Sequence, residues 1–173
     1  MNTGSVLKEQ LEGAHAVLEQ TMADVSEEQA NWAPPGIANP LGATYAHAVS
    51  AEDAVVNGML RGGATLIASA SAGKVGLSEL PPTEGDYGEW ARRVKINLPP
   101  LKEYAQAVYK STGEWLASLS AADLERAIDL TGWGLGKQSL AWVLGNILIW
   151  HIDAHCGEIS CLKGLQGAKG YPF

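Results

Sequence analysis

Four histidines stand among the 173 residues: His15, His47, His151 and His155. His151 and His155 are four apart, a spacing that on a helix stacks two imidazoles along one face, near enough to share a metal ion. Zinc-protease helices use the same spacing with a glutamate directly after the first histidine. Here Ile152, Asp153 and Ala154 intervene, so that motif is absent, and the pair alone specifies a site weakly. His47 strengthens it. It lies beside Thr44, Ala48 and Ala51, small residues that leave room for a ring to project inward. Helices packed 8–10 Å apart can bring such side chains onto one ion, and three imidazoles with open positions are the catalytic rather than the structural zinc pattern. The plainer reading keeps His47 as a core histidine bonded to a backbone carbonyl, with His151 and His155 partly solvated. His15 follows the core position Ala14 among charged neighbours and is expected at the surface.

Other reactive side chains are fewer. Cys156 follows His155 by about 100° of helix, so it either reaches the rim of such a site or is a buried structural cysteine. Glu158 shares the stripe of His151 and His155, as an acceptor or base behind the histidines or as a carboxylate at the solvent boundary. There is no P-loop and no nucleophile-elbow serine. Gly132-Trp133-Gly134-Leu135-Gly136 follows no strand signal and reads as a flexible connector.

The elements that must position these residues are helical. Leu7, Leu11, Ala14, Leu18 and Met22 form the stripe of a first amphipathic helix. Ser26 and Gln29 form a capping box for a short turn of helix. Asn39-Pro40 reads as a cap followed by proline at the first helical position of a second long helix, striped by Leu41, Tyr45, Ala48, Glu52, Val55 and Met59. Residues 64–85 read as a short helical piece plus an exposed loop. Asp86 is placed to cap the next helix, and Pro99-Pro100 either kinks the third long helix or lies near its start at Asn97. Ser120 and Asp123 open another turn. A last helix carries Leu140, Val143, Leu144, Ile147, His151, Ala154, His155, Ile159 and Leu162. No segment alternates like a strand. The expected architecture is all-α, a four-helix bundle in one domain spanning residues 1–173.

Composition narrows the function. Twelve Lys and Arg against nineteen Asp and Glu give a net charge of −7, which disfavours a phosphate-neutralising surface and so a nucleic-acid partner. The amino-terminal stretch lacks the basic and apolar regions of a signal peptide. The most apolar stretch, 144–152, is interrupted by Gly145, Asn146 and His151, so no membrane span is expected. The two cysteines, Cys156 and Cys161, fall on different faces of one helix, and a reducing cytoplasm is the expected home.

Three stretches carry a resemblance. They are Ser26 to Pro34 with the following helix that holds His47, the segment His151-Ile152-Asp153-Ala154-His155-Cys156-Gly157-Glu158-Ile159, and the ending Leu162 to Phe173. In this order the chain resembles the DinB-like superfamily, which includes the YfiT-type metal-dependent hydrolases and several low-molecular-weight-thiol transferases. The resemblance implies an up-down-type four-helix bundle with one long crossover, commonly a homodimer. It also implies a divalent metal held by one histidine of the second helix and two of the last, which match His47, His151 and His155. Cys156 and Glu158 match variable or non-ligand positions. The expected function is a metal-dependent enzyme, with zinc or nickel, that hydrolyses a small molecule or transfers a low-molecular-weight thiol to it. The competing expectations are a noncatalytic module that binds a metal or small stress metabolite, and a purely structural bundle.

Overall fold

The computed structural model describes residues 3–82 and 86–173. The chain is mostly helical. Helix α1 (Thr3–Met22) buries Leu11, Leu18 and Met22. The short α2 (Glu27–Ala30) opens with the capping box of Ser26 and Gln29. Helix α3 (Leu41–Asp53) continues as a π-helical segment, Ala54–Leu60. Helix α4 (Tyr87–Arg93) is capped by Asp86, whose carboxylate accepts from the amides of Gly88 and Glu89. Helix α5 (Leu98–Ser118) begins after Asn97, so Pro99 and Pro100 fall in its first turn, where no intrahelical donor is lost. Ser120 and Asp123 box the start of α6 (Ala121–Leu124). The last long element runs as α7 (Leu140–Val143), a π-helical segment (Leu144–Ile149) and α8 (Trp150–Leu165).

Helix α3 packs on α8 and α5, and α1 packs on α8 and α5. Between them Tyr45, Val49, Val56, Leu101, Tyr104, Val108, Leu140, Leu148, Ile152 and Ile159 are buried. Each large apolar side chain removed from water this way contributes about 1.5–3 kcal/mol before chain entropy is charged against it. The carboxyl end of α1 is fastened from two other helices. Lys102 donates to Met22 O at 2.9 Å, and the buried Lys163 donates to Thr21 O and to the Asp24 carboxylate, each at 2.6 Å. Cations there satisfy carbonyls that the helix cannot. The start of α3 crosses α2 so closely that a Cβ on Gly42 would stand 2.7 Å from Ala30 O.

Several expectations are corrected. The strand-free reading misses an antiparallel hairpin, β1 (Ala127–Leu130) with β2 (Gly136–Ser139). Exposure alternates in β1, with Ile128 and Leu130 turned inward, but over four residues only, and β2 does not alternate, so the pattern is too short to stand out. The glycine-rich stretch is its turn: a 3-10 segment, Thr131–Trp133, followed by Gly134 and Gly136 at positive φ. Helix α3 starts one residue later than its cap signal. Pro40 is extended at ψ 142° and stands at the cap position, and no side chain caps the helix. The stripe of the second helix ends on Leu60, which is buried, rather than on Met59, which is exposed. A π-helical turn takes one more residue than an α-turn, so the inward face advances by one position. In 64–82 the chain forms turns rather than a regular helix; the end of that connection, residues 83–85, lies outside the described residues. Its first turns are pinned by Asp53, whose carboxylate accepts from the amides of Leu66 and Ile67, both at 2.9 Å, and from the Tyr104 hydroxyl. Gly76 then meets the start of α5 at φ +70°, with no room for a Cβ beside Asn97 O.

Candidate metal centre

The two helical elements that carry His47, His151 and His155 each contain a π-helical segment, one after His47 and one before His151. The segment Leu144–Ile149 ends just before His151. Through it the buried stripe passes from Leu144 to Leu148, Ile152 and Cys156, which leaves His151 and His155 half-buried at the seam with α3. His47 meets them there. His151 Nε2 lies 3.1 Å from His47 Nε2 and 3.0 Å from His155 Nε2. The nearest ligand atoms of all three histidines lie within 4.8 Å of one another. At metal–nitrogen bonds of 2.0–2.1 Å, neighbouring ligand nitrogens stand about 2.9 Å apart for right-angle coordination and about 3.4 Å apart for tetrahedral. The two separations from His151, 3.1 and 3.0 Å, fall between these values.

Two of the rings are held from behind. His155 turns Nδ1 toward the Glu158 carboxylate at 2.7 Å. A carboxylate accepts, so Nδ1 carries the proton and the Nε2 lone pair faces the other two histidines. Tyr87, from the start of α4, lies against His47 with ring centroids 4.6 Å apart, and its hydroxyl donates to Ala43 O at 3.0 Å. Burial, with the neighbouring histidines in support, lowers His47 to a pKa of about 4. Burial and His155 lower His151 to about 4, against an opposing pull from Glu158. At neutral pH these two imidazoles are therefore uncharged. His151 Nε2 stands within hydrogen-bond distance of both other Nε2 atoms, so one shared proton or one cation can occupy the space between them, and the three histidines form a group that could hold a metal ion.

The remaining candidates separate cleanly. Cys156 is buried, with Sγ 3.5 Å from Thr21 Oγ1, and burial pushes its thiol up, so it is not an activated nucleophile. Cys161 is exposed. Glu158 is the acceptor behind His155 and does not face the convergence point itself. His15 is not at the surface. It is buried, its Nε2 stands 2.7 Å from Glu52 Oε2, and its ring stacks on Tyr109 with centroids 3.8 Å apart. Position 15 lies four after Leu11 and three before Leu18, so the helical stripe already contained it; its charged sequence neighbours obscured this.

Next to the triad lies a cavity of about 340 Å³ walled by Val55, Ile147, Leu148 and Trp133, with His151 and Glu52 in its lining. A larger groove, about 460 Å³, lies between α1 and α5 beside His15 and Tyr109, but the three-histidine convergence is not there. The smaller cavity is the one that bears on the triad's chemistry. Trp133 reaches it from the hairpin turn, which sequence periodicity did not reveal, and Tyr87 had no sequence signal.

The geometry agrees with what comparison shows. A sequence profile described as the DinB superfamily matches residues 10–159, and the chain belongs to that superfamily. No curated protein is similar enough to match. Among solved structures, the crystal structure of a conserved protein from Enterococcus faecalis superposes with a TM-score of 0.80 at 22% identity. The match covers 95% of this chain and 97% of that one, which establishes a shared fold. Among the described residues no helix is long and apolar enough to cross a membrane.

Proposed function

We propose that this chain is a metal-dependent enzyme that holds one divalent ion, zinc or nickel, through His47, His151 and His155 and hydrolyses a small molecule or transfers a thiol to it. The observation that carries the reading is the approach of three Nε2 atoms, at 3.0 and 3.1 Å, with Glu158 fixing the tautomer of His155. When bound, such an ion supplies Lewis acidity that lowers the pKa of water from 15.7 to about 7 or ionises a thiol. The protein's part is to present neutral nitrogens in fixed orientation. Two π-helical segments set the phase of the helices, Glu158 and Tyr87 hold two of the rings, and the apolar cavity beside His151 excludes water from the substrate's side. Three uncharged imidazoles leave the ion's charge uncompensated, which favours hydroxide or a thiolate in an open position.

The frame we assign is one domain over residues 1–173. In it the four long helical elements make an up-down-type bundle, and the connection from Arg61 to Asp86 is its long crossover. The chain's home in this reading is the cytoplasm, where the two unpaired cysteines remain reduced. A second reading, a noncatalytic module for a metal or small metabolite, is favoured by one fact: Glu158 is committed to His155 and Cys156 is buried, so neither is free to act as base or nucleophile. Metal content of untagged protein, followed by reconstitution and a screen of hydrolysis and thiol-conjugation reactions, separates the two. Stoichiometric metal with turnover is expected. Replacing His151 with Ala should abolish metal binding while helical content is kept, because the apolar stripes hold the frame. Wild-type protein that takes up no zinc or nickel would end the metal-dependent reading and leave the second only as a module for a small metabolite.

A further inference from the structure

Glu19 is a half-buried carboxylate that the fold fixes in place and leaves without a cation. Its Oε1 accepts from the hydroxyls of Tyr45, at 2.7 Å, and Tyr109, at 3.0 Å. Burial, with Glu19 beside them, pushes both phenols well up, so both stay protonated and donate. Among the described residues no Lys, Arg or His ion-pairs with Glu19. The nearby Lys8 and Lys110 face Glu12 and Glu114, each on its own helix. Charge drawn out of water is ordinarily paired; here two neutral donors orient the group and leave its charge unmatched. Oε2 takes no hydrogen bond among the described residues, and it is not shut off from the surface.

His15 points to the same place. It stands one turn earlier on α1 and is 8% exposed. The Glu52 carboxylate accepts from its Nε2, so Nδ1 carries the lone pair. That Nδ1 has no hydrogen-bond partner among the described residues and, unlike Glu52 Oε1, is not closed off from the surface. The opening that His15 lines is the groove of about 460 Å³ between α1 and α5, which Glu19, Tyr109, Leu11 and Leu116 line as well. Tyr109 joins the two polar groups: its ring lies on His15 with centroids 3.8 Å apart, and its hydroxyl reaches Glu19.

We propose that this groove is a binding site for a small organic amine, separate from the metal centre. The ammonium lies between Glu19 Oε2 and His15 Nδ1, and the apolar remainder runs along Leu11 and Leu116. Side chains one helical turn apart are neighbours, and an ammonium has three donors to share between two acceptors. A metal ion is the poorer occupant, since the histidine triad is the only group of three possible ligands among the described residues.

Phenethylamine and phenethyl alcohol have nearly the same shape and differ in carrying an ammonium or a hydroxyl. Calorimetric titration of the protein as purified, repeated after chelation, should show the amine binding at least about tenfold more tightly in both states, the yield of a hydrogen bond to a charged acceptor. In Glu19→Gln the amide oxygen still accepts from both tyrosines, so the fold is kept and the preference for the amine should vanish. Glu9→Gln removes the same charge from an exposed position outside the groove and should leave the preference as it was. Gly113 lines the groove, and a Cβ there meets nothing within 4 Å, so Gly113→Leu should fill the groove and block both probes without lowering the urea midpoint. The proposal is overturned by equal affinity for the two probes, by no binding of the amine, or by a preference present only before chelation. A preference that survives Glu19→Gln, that is lost in Glu9→Gln, or that is indifferent to Gly113→Leu overturns it as well. Should Gly113→Leu not fold, the probe pair and the two glutamine variants decide.

Discussion

Glu158 touches the three-histidine cluster only through His155, so its removal tests orientation apart from the proposed ligation. In Glu158→Ala the Nδ1 proton loses its acceptor and the ring loses its preferred tautomer. Metal affinity should fall about 10–100-fold by competition against a chelating dye, without loss of stoichiometry. The imidazoles also make a signed prediction about acid. His47 and His151 have folded pKa values of about 4, below the 6.5 of an unfolded chain. Above 6.5 both states are neutral and these groups contribute no pH dependence. Between 6.5 and 4 the unfolded chain takes up protons that the folded one refuses, so their contribution falls as pH falls. His155 and Glu158 face the same pocket and modulate the window. In metal-free protein the urea midpoint should drop from pH 7 to pH 4.5, and His47→Ala with His151→Ala should flatten that drop. The three histidines were legible in the sequence, and Glu158 stood there on the same stripe as one of two readings, an acceptor behind the histidines or a carboxylate at the solvent boundary. Glu52 also appeared in its stripe, but only as a marker of the buried face. That it pairs with His15 across 37 positions of chain was not, since no local spacing encodes a contact between two helices.

Caps and stripes were the readable part of the elements. Ser26, Asp86, Asn97 and Ser120 all stand where their helices begin. The π-helical segments were not readable, because a stripe of period 3.6 carries no mark where one residue is added; Met59 and Leu60 exchange places for that reason alone. The hairpin escaped because the alternation of β1 lasts only four residues and β2 adds none. Close approach at α2 and α3 gives the test at this scale. In Gly42→Ala the new methyl meets Ala30 O, a backbone atom that can yield only if α2 moves. The cost should be about 1–3 kcal/mol, read as a lowered urea midpoint with unchanged slope. Because α3 carries His47, the same variant should bind metal more weakly than its stability loss alone explains.

At the scale of the molecule, Trp150 stays 64% exposed beside Ile149, at a groove between α1 and the last helix that Gly13, Val17 and Gly145 also line. A second copy covering this face is the association we propose, in a two-fold arrangement. Light scattering should give about twice the chain mass of 18.2 kDa, and Trp150→Glu should return it to the single-chain value. The separation of the histidines has a different consequence. His47 and His151 are 104 positions apart, so the three-histidine cluster exists only after α8 has docked on α3. During synthesis His47 leaves the ribosome long before either partner, and one imidazole holds an ion too weakly to keep it. Any ion must therefore arrive at a chain already folded. Once there, it ties two distant segments together and opposes their parting by RT ln(1 + [L]/Kd). Loading would then act as a seal on finished molecules, and a chain cut off before α8 should fail to compete for metal at all.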